Sequence, residues 1–212
     1  MSHPDPNGPR DLTPIRVGEV FENPVTRERA TVQELPHTNA EGRAAAELTA
    51  LVGARVVGEH RHPAIVERFT ALEGELTVKR DGETTILREG ESAVVEPGVW
   101  HDWWNAGDRD ARVHVEVTPG ERFAHMLETL FGLARLGYTN AKGMPNPLQL
   151  AVFAQEFSDV IVFRSPPLPV QRALFGALAP IARARGYRGT YPQLSRTVFA
   201  PRTAPLEDPA PS

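Results

Sequence analysis

His60 and His62 stand two residues apart in the segment GARVVGEHRHPAIVERFTALEG, residues 53–74. On a β-strand, side chains two apart project from the same face, so both imidazoles can reach one ion. Glu67 follows His62 by five residues, a spacing suited to a return on the neighbouring strand. His101 lies just beyond a Pro-Gly turn in GESAVVEPGVWHDWWN, residues 90–105. Three neutral imidazoles and one carboxylate leave open positions on a six-coordinate metal. The chain has no cysteine, so any metal must be held by histidine, carboxylate or water.

The elements that must position these residues are short strands. From about Ile15 to Val117 the chain runs through β-branched or alternating segments punctuated by Gly, Asp and Asn, among them RATVQEL, AELTALV, TALEGELTV, TTILREG, ESAVVEP and ARVHVEV. Many short strands at close spacing predict a barrel or sandwich. Asp81-Gly82, between two such segments, is a hairpin signal because its two-residue turn needs positive φ. After Val117 the period changes. Thr118, Pro119 and Glu121 read as the N-cap, first residue and acid of a capping box. Phe123, Met126, Leu127, Leu130, Phe131 and Ala134 then form one helical stripe, with Gly137 placed to end it. Further apolar segments span Leu148 to Phe157 and Leu168 to Arg185, the latter with Pro180 placed to kink it.

The expected organisation is a flexible tail over 1–13, a β-barrel over 14–118, a helical extension over 119–198 and a second tail over 199–212. A chain of 212 residues accommodates one such domain with its extension, and its 41% hydrophobic and 24% charged residues are ordinary globular composition. The net charge of −4 and the scattered Lys and Arg residues offer no nucleic-acid footprint. No apolar run is long enough to span a bilayer and the N-terminus has no secretory apolar stretch, so a cytoplasmic location is expected.

Two motifs resemble those of the cupin superfamily. In the first, His60-x-His62 is followed by four residues, Glu67, six residues and Gly74; in the second, Gly98 is followed by two residues, His101, three residues and Asn105. The 15 residues between Gly74 and Gly90 resemble those of compact bacterial single-domain cupins. Two details depart from the pattern: Gly53 precedes His60 by one residue more than usual, and Pro97 abuts Gly98. The resemblance implies a mainly β fold, the cupin double-stranded β-helix or jelly-roll barrel, here followed by a C-terminal α-helical extension. It also implies that His60, His62, Glu67 and His101 hold one divalent transition metal per chain. Iron or manganese is favoured, with zinc, nickel or copper as other fits. A homodimer is expected from the resemblance together with the apolar helical stripe.

Strand parity extends the site. Val56 and Gly58 share the face of His60 and His62, Ile65 and Phe69 that of Glu67, and Trp103 and Asn105 that of His101. Val56, Ile65, Phe69, Trp103 and Asn105 are thus expected to line a largely apolar substrate pocket, while Trp104, of opposite parity, is expected outside against the helices. Arg112, His114 and Glu116 alternate with Val113, Val115 and Val117, which predicts one solvated and one buried face. The leading expectation is a metal-dependent oxygenase or dioxygenase acting on a small organic molecule. A redox-inert metal-assisted isomerase, cyclase or lyase is the catalytic alternative. A binding or sensing module is the non-catalytic one. Neither nucleic acid nor a membrane is an expected partner.

Overall fold

The computed structural model describes residues 15–56 and 58–191; the two segments read as tails, 1–13 and 199–212, lie outside the described residues. Its strands are β1 (Val20–Asn23), β2 (Glu28–Glu34), β3 (Ala44–Ala50), β4 (His60–Arg61), β5 (Val66–Glu73), β6 (Glu75–Arg80), β7 (Glu83–Arg88), β8 (Ser92–Val95), β9 (His101–Trp104), β10 (Ala111–Thr118) and β11 (Val162–Phe163). Its helices are α1 (Glu121–Arg135), α2 (Pro147–Glu156) and α3 (Leu168–Ala184). The strands form two antiparallel sheets, a six-stranded one in the order β1-β2-β3-β10-β5-β8 and a five-stranded one in the order β11-β4-β9-β6-β7. This is a mainly β fold of two antiparallel sheets followed by a C-terminal α-helical extension.

Alternation along the strands builds the interior. On β10, Val113 and Val117 are buried while Arg112 and His114 lie outside, where Arg112 meets Glu47 and His114 meets Gln33. Leu48, Phe69, Leu76, Val78, Leu87, Val95, Trp103 and Val113 join between the sheets in one apolar cluster. Fully burying side chains of this size stabilises the fold by roughly 1.5–3 kcal/mol each. The Asp81-Gly82 turn joins β6 to β7 with both residues at positive φ, 46° and 92°, as a type I′ hairpin demands. Asp81 also accepts from the Trp100 amide, 3.2 Å away, and so ties that hairpin to the approach to β9.

The helical stripe of α1 packs Phe123, Met126, Leu130 and Phe131 onto Ala30, Ile65 and Val117 of the barrel. At its end the Tyr138 amide donates to the Leu133 carbonyl and the Gly137 amide to that of Ala134, with Gly137 at φ 76°. These are the two bonds of a Schellman cap, and they satisfy carbonyls the helix leaves open. The start of α1 differs from the capping box read in the sequence. Gly120 is the N-cap and no side chain caps the helix, because Thr118 is still paired with Val66 in the sheet and cannot turn back. The helix α3 continues through Pro180 as one element. Among the described residues, no helix is long and apolar enough to cross a membrane.

Candidate metal centre

Both sheets contribute to the cluster. His60 on β4 faces His101 on β9 in register, which brings their ring centroids to 4.2 Å. His62 follows at the end of β4. Glu67 comes from β5 in the opposing sheet, between Val95 and Val117. This corrects the expectation that Glu67 returns on a neighbouring strand: residues 63–65 carry the chain across the gap from one sheet to the other. All four ligand atoms lie within 4.8 Å of one another and all four residues are buried. Bonds of about 2.1 Å place donors about 3 Å apart at right angles and about 4 Å apart when opposed. The four atoms, none more than 4.8 Å from another, lie close to that span.

The hydrogen bonds around the cluster decide which atoms face its centre. The Nδ1 atoms of His60, His62 and His101 lie 2.9, 2.7 and 3.1 Å from the carbonyl oxygens of Gly58, Val160 and Val99. A carbonyl only accepts, so each Nδ1 carries the proton and each Nε2 turns a lone pair inward. Buried His62 Nε2, His101 Nε2 and Glu67 Oε2 make no well-formed hydrogen bond, although His101 Nε2 and Glu67 Oε2 are only 3.1 Å apart. Buried polar atoms left this way are costly, and a cation at their centre would satisfy all of them at once. The donor set therefore fits a divalent transition metal.

Electrostatics favour the ligating state of His60 and Glu67 and, with no cation present, oppose that of His101. Burial, reinforced by the neighbouring imidazoles of His101 and His62, lowers the pKa of His60 to about 3, which keeps it neutral. Burial pushes the Glu67 carboxyl up, but the adjacent imidazoles of His101 and His62 outweigh it and hold the group ionised, well below the usual carboxylate range. Burial also opposes protonation of His101, yet the adjacent Glu67 carboxylate raises its pKa above the ordinary value.

Local turns explain why the ligands stand where they do. Pro97-Gly98 forms the centre of a turn in which the Val99 amide donates to Glu96, with Gly98 at φ 84° as a type II turn requires. The Gly98 amide then donates to the His62 carbonyl at 2.8 Å, so the turn before His101 holds the backbone of His62.

Residues 47–118, which carry the four candidate ligands, match the family model described as a cupin domain. This segment is a cupin domain. No curated protein matches the chain. Among solved structures it is similar to a protein of Thermus thermophilus, with 25% identity over 42% of this chain and 83% of that one, TM-score 0.36. It is similar also to a predicted oxalate decarboxylase from Thermotoga maritima, with 18% identity over 43% and 79%, TM-score 0.41. An RmlC-like cupin from Shewanella frigidimarina shows 18% identity over 52% and 92%, TM-score 0.42.

The cupin cluster opens onto a cavity of about 130 Å³ between the six-stranded sheet and α1. Val56, Phe69 and Trp103 line it beside His60 and Glu67, as parity indicates. Ile65 and Asn105 do not. Ile65 packs in the cluster with Val117 and Phe123, because the crossing between sheets at 63–65 breaks the strand alternation that parity assumes. Asn105 is buried, but its amide donates to the carbonyls of Ala50 and Arg109 and its oxygen accepts from Gly107. It closes a loop of the cupin fold. Trp104 lies half-buried on the outer side of β9, bridged to Arg55.

One polar residue on the cavity wall was not singled out in the sequence. Glu28 sits at the head of β2, where Glu28, Ala30 and Val32 alternate inward. Only 7% of it is exposed, and it accepts a hydrogen bond from the Thr26 hydroxyl at 2.5 Å. Burial, added to the nearby charge of Glu67, outweighs that bond and raises its pKa to about 7.

Proposed function

We propose that this cupin is a metal-dependent oxygenase that converts a small, largely apolar organic molecule at the centre formed by His60, His62, Glu67 and His101, with iron or manganese as the metal. The observation that supports it is the opening of a three-imidazole, one-carboxylate cluster onto an apolar cavity. Four protein donors leave coordination positions for a substrate and dioxygen. A bound iron or manganese would supply the one-electron chemistry that lets dioxygen react with an organic molecule. The chain's own residues do the rest: Phe69, Trp103 and Val115 exclude water, and α1 closes the far wall with Phe123, Leu127 and Leu130. Homodimer formation belongs to the same proposal, supported by exposed Val170, Leu174 and Ile181 on one side of α3.

The test begins with elemental analysis of the purified protein, followed by oxygen-electrode measurements against a panel of apolar alcohols, phenols and ketones. Uptake that needs iron or manganese and disappears in His101→Ala is the expected result. Full turnover of the same substrate under argon overturns it. Glu28 favours a second reading, a redox-inert isomerase or lyase, because a buried carboxyl that holds a proton near neutral pH suits acid–base chemistry beside a Lewis acid. That reading expects full activity with zinc and without oxygen.

A further inference from the structure

Glu28 is a buried carboxyl on a strand face whose next two inward positions are apolar, with the less buried Glu34 at the far end of the strand. Ala30 and Val32 follow it on the inward face of β2, and the cavity they share with His60 and Glu67 is otherwise walled mainly by aliphatic and aromatic groups. A buried carboxyl there costs stability unless something in the cavity uses it. Among the described residues no cation pairs with it, and its one side-chain partner is the Thr26 hydroxyl. We propose that Glu28 is the group that recognises the organic ligand, accepting the hydrogen bond and then the proton of a single hydroxyl on an otherwise apolar molecule. This rests on reading the cavity as the substrate site.

The surroundings select a hydroxyl. An ammonium group brings three donors, and this wall offers Glu28 little company with which to satisfy them. The other acidic groups on the lining are Glu67, committed to the histidines, and Glu34, bound by Arg43. The titratable groups that face Glu28 across the cavity are His60 from β4 and Glu67 from β5, while α1 and β11 contribute apolar side chains to the wall. In the step itself the ligand's O–H bond breaks, its electron pair stays on the ligand oxygen, and a new O–H bond forms on the Glu28 carboxylate. The charge moves from protein to ligand without any oxidant.

The experiment uses two small probes, 4-fluorophenol and 4-fluoroanisole, followed by fluorine NMR against the zinc-loaded protein and its Glu28→Leu and Glu28→Gln variants. At pH 8 the wild type is expected to bind the phenol about 10-fold more tightly than its methyl ether, the scale of one hydrogen bond to a charged group. The preference should fall below pH 7 as Glu28 takes up a proton. Glu28→Leu should bind the ether as well as the wild type does and lose the preference; Glu28→Gln, closest in shape, should lose its pH dependence. An equal preference in wild type and both variants overturns the proposal while leaving the cavity as a ligand site. Failure of every protein to bind either probe overturns the reading on which it rests.

Discussion

The imidazole of His62 donates from Nδ1 to the carbonyl oxygen of Val160, 2.7 Å away and 98 positions later in the chain. A residue of the C-terminal extension thus orients a ligand of the barrel. The same segment continues as β11, in which Phe163 pairs with His60, and the Arg164 amide then donates to the Glu59 carbonyl. Two of the four candidate ligands, His60 and His62, are held by this segment. The extension is part of the supporting structure of the candidate metal centre.

Phe163→Ala should therefore affect both stability and metal retention. Phe163 is buried in the cluster with Phe153, Phe157 and Phe131. Its truncation is expected to cost about 3 kcal/mol through lost contacts and the cavity left behind. Loosening β11 against β4 should weaken metal binding by about 10-fold, the lower end for lost outer-shell support. Denaturant titration and competition with a chromogenic chelator measure the two effects separately.

Removing a ligand should act on the metal first. His101→Ala is expected to lower the metal content of the purified protein from one ion per chain to a small fraction, as read by elemental analysis. Added metal should raise the Tm of the wild type, because an ion that binds only the folded chain stabilises it by about 4 kcal/mol at a thousand times its Kd. The Tm of His101→Ala should stay flat over the same range, with an unchanged far-ultraviolet circular dichroism spectrum.

The barrel and the four residues that cluster in it were legible in the sequence because they rest on strict geometry. A two-residue strand period puts His60 and His62 together, and Asp81-Gly82 leaves few alternatives to a tight hairpin. The sheet from which Glu67 arrives was not legible, since a five-residue spacing states that the chain returns and not where. Parity also failed at Ile65 and Asn105, where the chain leaves regular strand and loop contacts take over. β11 is two residues long, too short to carry a period, so its pairing with β4 left no local signal. Glu28 reads in isolation as an ordinary charged residue at a strand end. Only the inward alternation with Ala30 and Val32 marks it, and that required knowing which face is covered.

Gly74, the glycine of the first motif, is required where β5 hands the chain to β6 in the other sheet. Its φ is 72°, and a β-carbon there would lie 2.7 Å from the Asp110 carbonyl oxygen and 3.1 Å from Ala111 Cα. Both neighbours are backbone and cannot rotate away. Gly74→Ala should cost about 2–4 kcal/mol, the sum of left-handed strain and overpacking. Chemical denaturation gives that loss, while metal content per folded chain should be unchanged because no ligand is touched.

The raised pKa of Glu28 makes a stability prediction that requires no substrate. Its carboxyl goes from an ordinary value of 4.5 to about 7 on folding. Between those values the folded chain binds more protons than the unfolded one, so stability falls as pH rises through this window. Below 4.5 both states are protonated and the group is neutral in effect; well above 7 the fold carries a buried carboxylate at a cost of about 3 kcal/mol. Glu28→Gln removes the charge and keeps an oxygen for the Thr26 hydroxyl. Its advantage over the wild type should accordingly be small at pH 5 and grow to roughly 5–10 °C in Tm at pH 9. Paired thermal melts across that range measure it, and a difference that is constant with pH would mean that Glu28 does not titrate in the folded protein.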